Sequence, residues 1–168
     1  MTTMQDCMWC SPDSNTAKEK GITSLCGCCM EHFFLPPDGP MQKHLDGLFF
    51  PVLGIELYAG KHMITRAVNK SACAWLNKEP VEIVRHLTGN VIGCVHAGLP
   101  EGCGGALPCE TCEVLRSVAG TVKTGESLIA VPAVLLREKA GGPPAMVLRL
   151  TTMKAGGLVM LRLDTHHP

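Results

Sequence analysis

Apolar side chains recur at every second position along the end of the chain, with the period of two that is typical of half-buried β-strands. The apolar set is Met146, Leu148 and Leu150 in one segment and Val159, Leu161 and Leu163 in the next. A longer apolar run precedes them at 128–137, and glycine- and proline-rich turns separate the three segments. The pattern predicts three strands at 128–137, 145–152 and 158–164, joined as a meander.

A further pair of apolar segments predicts a β-hairpin earlier in the chain. Residues 50–57 are apolar and rich in β-favouring side chains, and 62–68 is the matching return segment. Ala59-Gly60-Lys61 between them is typical of a turn. A short helix at 41–48 is predicted to lead into this hairpin.

Two short helices are predicted after the hairpin. Asn69 suits the N-cap of a helix at 70–76, because its side chain can accept a hydrogen bond from a backbone N–H that the helix leaves unpaired. Pro80 suits the first turn of a helix at 81–86. Gly89-Asn90 is predicted to end that helix.

The clearest helix is predicted at 109–123. Its apolar positions follow the i, i+3, i+4, i+7 spacing of one buried face, which is formed by Leu115, Val118, Ala119 and Val122. A hairpin, short helices, one long helix and a three-stranded meander together predict an α+β domain with an antiparallel sheet.

The first forty residues differ in composition from the rest. They have little periodicity, several cysteines and a stiff closing segment, Pro36-Pro37-Asp38-Gly39-Pro40. We therefore predict a Cys-rich N-terminal extension at 1–43 and a folded domain at 44–165.

Charge balance and the length of the apolar segments argue against several classes of function. Lysine plus arginine equals aspartate plus glutamate, 15 against 15, so there is no electrostatic case for nucleic acid or an anionic membrane. No segment has the length of a membrane span or the pattern of a signal peptide, and we expect a cytoplasmic protein. In a reducing compartment, the ten cysteines are expected to bind metal, take part in redox chemistry or be buried.

The stretch 93–112, GCVHAGLPEGCGGALPCETC, concentrates the chemistry. Its Cys94, Cys103, Cys109 and Cys112 could supply a complete four-thiolate shell for zinc or an iron–sulfur cluster. The predicted helix would hold the last two at i and i+3 near its N-terminus, which stabilises thiolates. His96 is a further candidate ligand, although a histidine so placed is more often packed or hydrogen-bonded.

Two other interpretations of these four cysteines stay open. They could be small buried hydrophobes, and Cys112 stands three residues before Leu115 on the predicted buried face. They could also form a reversible disulfide, with Cys109–Cys112 or Cys103 as partners.

The extension holds a second candidate metal site. Its members are Cys7, Cys10, Cys26, Cys28, Cys29 and His32. A segment with so few residues that could form a core usually needs a metal or a cross-link to stabilise its fold, which favours a small zinc knuckle. A flexible tail with oxidisable thiols is the alternative, and Cys7-Met-Trp-Cys10 also admits a thiol–disulfide active site. Cys73, alone on a short helix, is expected to be core.

The order of these features resembles that of a PAS domain. The matching residues are the entry segment 45–55, Asn69 heading a short helix, Thr121 to Gly125 ending a helix, and the three C-terminal strands. The cysteines resemble those of a PAS subgroup in bacterial signalling proteins, often attached to histidine kinases, that carries Gly-Cys-Gly followed by Cys-x-x-Cys. The matching residues are Gly93-Cys94-Val-His96-Ala, Gly102-Cys103-Gly104, Cys109-Glu-Thr-Cys112 and Thr124-Gly125-Glu126.

The resemblance implies a five-stranded antiparallel sheet with helices over one face, an internal cavity for a ligand or cofactor, and frequent dimerisation. A signalling protein such as a histidine kinase is the implied partner. The Cys-rich extension is a departure, since it belongs to no standard PAS domain.

Several cofactors and activities are argued against by sequence. Covalent haem needs Cys-x-x-Cys-His, but Ser11 follows Cys10 and Glu113 follows Cys112. The usual PAS haem ligand is a histidine on the long helix, and 109–123 has none; the flavin-photosensor motif is also missing. With no phosphate loop, nucleophile elbow or supported acid pair, we do not expect an enzyme.

The sequence thus favours a cytoplasmic PAS-type sensory module that senses redox state or a ligand through a cysteine-rich metal or iron–sulfur site. The alternatives are a structural zinc-binding adaptor and a thiol–disulfide oxidoreductase.

Overall fold

A five-stranded antiparallel sheet organises the computed structural model, which describes residues 39–137 and 145–165. The strands are β1 (Val52–Tyr58), β2 (His62–Val68), β3 (Leu128–Leu136), β4 (Ala145–Ala155) and β5 (Leu158–Thr165). Their order across the sheet is β2-β1-β5-β4-β3. The expected α+β class and five-stranded antiparallel sheet are confirmed.

The strands β1 and β2 form the predicted N-terminal hairpin. Tyr58 pairs with His62 across a turn in which Ala59 and Gly60 both take positive φ. Close approach of the two strands needs Gly54, because an added Cβ would lie 2.9 Å from the Cβ of Ala67.

The C-terminal meander adds three strands and closes onto the hairpin through pairing of β1 with β5. The strand β3 lies at the edge of the sheet, where Pro132 is tolerated because an edge strand leaves some N–H groups without a ladder partner. The alternation in β4 buries Leu148 and Leu150 completely and leaves Val147 half-exposed. One face of the meander is therefore core, as the period of two predicts.

The longest helix packs on that buried face. It is α5 (Glu113–Thr124), preceded in chain order by α2 (Lys70–Leu76), α3 (Pro80–Ile83) and α4 (Thr88–Ile92). Val114 and Val118 of α5 enter the main core. Thr121 also points inward, and its hydroxyl lies 2.6 Å from that of Thr152 on β4.

The first described helix, α1 (Pro40–Asp46), contributes to a separate, smaller core. Met41 and Leu45 pack there with Val52, Ala67, Ala155 and Met160, which alternate with main-core residues along their strands. The helix α1 therefore covers part of the opposite face of the sheet. It spans the boundary predicted at residue 43, and residues 1–38 lie outside the described part.

Asn69 confirms its predicted role as an N-cap and does more. Its fully buried side chain accepts from the N–H groups of Ala72 and Val52, at 2.9 and 3.0 Å. It also donates to the carbonyls of Leu45 and Phe50. One amide thus joins α1, β1 and α2.

Helix boundaries between 80 and 92 were predicted wrongly. The helix expected at 81–86 is α3, which ends at Ile83, because Val84 is extended and Arg85 has a φ of 71°. Gly89 and Asn90 end no helix and instead lie inside α4. In the described residues, no helix is long and apolar enough to cross a membrane.

Candidate functional site

The loops between α4 and α5 hold the four predicted site cysteines. Cys94 precedes a 3₁₀ turn, Val95–Gly98, and Cys103 lies in the following glycine-rich turn. Cys109 belongs to a second 3₁₀ turn, Leu107–Thr111. Cys112 occupies the N-cap position of α5, and its side chain makes no capping hydrogen bond. All four are free thiols.

The predicted placement of Cys109 and Cys112 at i and i+3 of one helix is wrong. The helix α5 begins at Glu113, whereas Pro108 and Cys109 form the separate 3₁₀ turn. Cys112 has extended backbone, and its carbonyl accepts from the N–H of Arg116 at 2.9 Å. Cys112 is therefore where the chain changes direction and enters the helix, and not a position along the helix's buried face.

One cavity of about 420 Å³ nevertheless brings all four cysteines together. Cys103 and Cys109 are each 7% exposed, while Cys94 and Cys112 are half-buried. His96 lines the same cavity. The remaining wall is mainly apolar and comes from Met63, Ile92, Val114 and the β3 segment 132–136. Sequence reasoning found the thiols but missed this wall, because no pattern in the chain indicates which strand faces them.

Backbone amides are directed at the sulfur atoms. The N–H of Gly104 donates to Cys109 Sγ at 3.2 Å. The backbone of Gly89 lowers the pKa of the Cys103 thiol, and the backbones of His96 and Ala97 lower that of the Cys94 thiol. Such donors stabilise thiolates and are a common feature around metal-bound sulfur.

Two glycines make room for this arrangement. An added Cβ on Gly89 would lie 2.7 Å from both Cβ and Sγ of Cys103. Gly104 has a φ of 88°, and an added Cβ there would overlap the carbonyl of Lys61. Beside that contact, His62 Nδ1 donates to the Cys103 carbonyl at 3.1 Å, which ties the cysteine loop to β2.

The edge strand β3 holds the other end of the loop. Cys94 forms an isolated antiparallel bridge with Arg137, directly after β3. The guanidinium of Arg137 lies 5.9 Å from the centre of the Trp75 ring on α2. The loop carrying the cysteines is thus attached to both edge regions of the sheet.

Burial favours the neutral form of the Cys103 and Cys94 thiols. Desolvation by burial raises the pKa of Cys103 to about 11, and the amide of Gly89 opposes that rise. Burial also raises the pKa of Cys94, and its neighbours Cys112 and Cys109 add to the effect by repulsion between thiolates. Without a cation the neutral thiol is favoured, so a bound metal must displace protons.

Within residues 39–137 and 145–165, no group of three or more His, Cys, Asp or Glu side chains is arranged to hold one metal ion. Cys73 lies on α2, is partly buried and does not line the cysteine cavity. The second predicted site, with Cys7, Cys10, Cys26, Cys28, Cys29 and His32, lies outside the described residues.

Comparison with protein-family models and with curated proteins finds no match to this chain.

Proposed function

We propose that this protein is a cytoplasmic sensory module of the PAS type whose signal is read at a four-thiolate metal centre formed by Cys94, Cys103, Cys109 and Cys112. The observation that supports the proposal is the one cavity that all four thiols line. In the described residues the thiols are not already arranged around one ion, so a metal would have to draw them together. Four soft sulfur donors in one place suit zinc or iron–sulfur chemistry far better than hard cations. The sheet, the helices on its buried face and the cavity agree with the resemblance to PAS domains.

The attachments of the cysteine loop explain how such a centre would act as a sensor. Cys94 is bridged to Arg137 after β3, and Cys112 is the N-cap residue of α5. A metal held by both cysteines would fix both positions at once. Its loss would free the start of α5 and the end of β3 together, which would change the surface offered to a signalling partner such as a histidine kinase.

The test is metal retention in single-cysteine variants. Cys103→Ser and Cys112→Ser each are expected to abolish metal binding while far-ultraviolet circular dichroism shows a folded sheet. Because the extension carries five further cysteines, the test uses the full chain with those five changed to Ser. Cys73→Ser is the matched control, since Cys73 lies outside the cavity. Full metal content in both site variants would contradict the assignment.

A structural zinc-binding adaptor is the second candidate. The observation that favours it is that the cysteine loop joins β2, β3 and α5, so a metal here would act as a staple. On this alternative, removing the metal lowers the melting temperature without changing binding to any partner. On the sensory proposal, the metal-free and metal-bound forms differ in partner binding or in oligomeric state.

A further inference from the structure

We propose that a groove at the edge strand β2 binds a small organic acid, a ligand in which a carboxylate is attached to an apolar body. This groove, which we call the β2 groove, is lined by parts of α1, β2, α2 and α3 and by residues 84–86. Its volume is about 630 Å³. Among the described residues, none that lines the cysteine cavity also lines the β2 groove, so the proposal does not depend on the metal centre.

Much of the lining is apolar. Its apolar residues include Ala67, Val68, Pro80, Val81 and Val84. The side chain of Val81 is 78% exposed, so part of this apolar surface meets water. Pockets that bind small molecules have volumes of about 300–1,000 Å³ and mainly apolar walls, with a few charged groups that fix the orientation of the ligand. The β2 groove has that volume, and the apolar body of a ligand would cover the exposed surface.

Positive charge predominates among the charged residues of the groove. The basic side chains that line it are Arg66, Lys70, Arg85 and His86. Asp46 is the one acid among the described lining residues, and its Oδ1 already accepts hydrogen bonds from the Lys70 N–H and the Gln42 amide, at 2.9 and 3.0 Å. This balance of charge favours an anionic ligand over a cationic one.

The two acids of α3 line a different depression. Glu79 and Glu82 form a capping box at the start of α3, and both line a smaller depression together with Asn77 and Lys78. Neither is among the residues that line the β2 groove. The positive balance therefore applies to the groove's own lining.

Two of the basic side chains are available to a ligand. Within residues 39–137 and 145–165, no hydrogen bond or ion pair engages the side chains of Lys70 and Arg85, and both residues are exposed. Arg66, by contrast, is paired with Glu56 of β1. A carboxylate accepts charge-assisted hydrogen bonds from ammonium and guanidinium groups, and these are stronger than bonds between neutral groups. Lys70 and Arg85 are therefore the side chains that would hold the carboxylate.

The backbone of Arg85 is fixed in an uncommon conformation. Its φ is 71°, in a region that residues with bulky side chains rarely adopt and that glycine or asparagine adopts more readily. Two hydrogen bonds to β2 hold it there. The Arg85 N–H donates to the Thr65 carbonyl at 2.7 Å, and the Thr65 N–H donates to the His86 carbonyl at 3.0 Å. Backbone outliers of this kind cluster at ligand sites, where they position a side chain before the ligand arrives.

The test is a titration of the full chain with three probes that share one apolar body: hexanoate, hexanol and hexylamine. Amide-detected NMR follows the binding, and far-ultraviolet circular dichroism checks that each variant is folded. We expect hexanoate to shift the amide signals of Lys70 and of residues 84–87 in a saturable way. Hexanol and hexylamine should bind at least about tenfold more weakly, because they cannot accept the charge-assisted hydrogen bonds.

Charge-removing variants identify the side chains that hold the carboxylate. Arg85→Gln and Lys70→Gln should each weaken hexanoate binding about tenfold. Lys70→Gln keeps the test decisive if Arg85→Gln disturbs the backbone, because Lys70 is exposed at the start of α2. Lys123→Gln is the matched control, since it removes the same charge from an exposed position at the end of α5 and should leave the affinity unchanged.

Four results would overturn the proposal. The first is equal affinity for the three probes, and the second is unchanged hexanoate affinity in both Arg85→Gln and Lys70→Gln. The third is a set of shifts at Cys103 and Val114 in the cysteine cavity instead of at the β2 groove. The fourth is binding of an acidic peptide without binding of hexanoate, which would assign the groove to a protein partner. Metal content enters none of these measurements, so each result leaves the proposed metal centre untouched.

Discussion

Replacing Gly89 by Ala is a sharp test of how the cavity positions Cys103. Gly89 lies inside α4, where it makes no use of positive φ, so an alanine fits the backbone. Its new Cβ would nevertheless come within 2.7 Å of both Cβ and Sγ of Cys103, and within 3.3 Å of the Cβ of Ala97. Ordinary contact begins at 3.4 Å, so the thiol must retreat by about 0.7 Å.

Two opposing terms set the effect on stability. Alanine in place of glycine within a helix stabilises by about 1 kcal/mol, whereas overpacking a tight site costs about 1–3 kcal/mol. The free energy of unfolding should therefore fall by roughly 0–2 kcal/mol. Metal retention should fall much further, because ligand distances tolerate only about 0.2 Å of error.

The matched control is Gly120→Ala in α5. Gly120 is also helical, but nothing lies within 4 Å of its added Cβ, so this change should stabilise by about 0.5–1 kcal/mol and leave metal content intact. Urea unfolding and elemental analysis measure both variants. If Gly89→Ala gains stability like the control and keeps its metal, the reasoning about the cavity is refuted.

Three further predictions follow from buried polar groups. In the metal-free protein at pH 8, Cys103 should be alkylated about 100-fold more slowly than in urea, because its pKa is about 11 in the folded protein and 9.0 in the unfolded chain. Equal alkylation rates, measured by mass spectrometry, would contradict this prediction. The thiol contributes fully to the stability of the fold below pH 9, and its contribution is lost as the pH rises through 11. Thr152→Val should cost about 1–3 kcal/mol in urea unfolding because it strands the buried Thr121 hydroxyl, and the double Thr→Val variant should cost less than the sum of the two single changes. Asn69→Ala should lower the free energy of unfolding by about 3 kcal/mol, because the side chain loses its four hydrogen bonds. The control is Asn90→Ala at an exposed helix position, which should change the free energy of unfolding by about 0.5 kcal/mol or less.

The strands were the most predictable part of the fold. The alternation of apolar residues in β4 and β5 marks the face that packs into the main core, and all three C-terminal strands begin at the predicted residues. The N-cap role of Asn69 was predictable because an N-cap is a local arrangement of residues close in sequence. What sequence could not supply was the second role of Asn69, which depends on α1 and β1 lying beside it.

The short helices show where local signals fail. Glycine often marks the end of a helix. Gly89, however, lies inside α4, where Cys103 occupies the space that a side chain would need. The predicted start of α5 was wrong for a similar reason. Leu115 and Val118 were correctly assigned to a helix, but the 3₁₀ turn that precedes the helix has much of the same residue spacing. Tertiary contacts decide both cases.

The candidate site was predictable only as a set of residues. Spacing drew attention to Cys94, Cys103, Cys109 and Cys112, because thiols close together in sequence are close together in space. Their burial, the amides directed at them and the wall supplied by β3 arise from elements distant in sequence. No local pattern could have indicated that the cysteine loop bridges to Arg137.

X-ray absorption at the metal edge would show directly whether four thiolates hold one metal centre. The protein to measure is the full chain with its five N-terminal cysteines changed to Ser, loaded with its metal. We expect four sulfur neighbours around each metal atom at about 2.3 Å, with that shell lost in Cys94→Ala and Cys112→Ala. A shell of oxygen or nitrogen neighbours, or a sulfur shell that survives both substitutions, would contradict it.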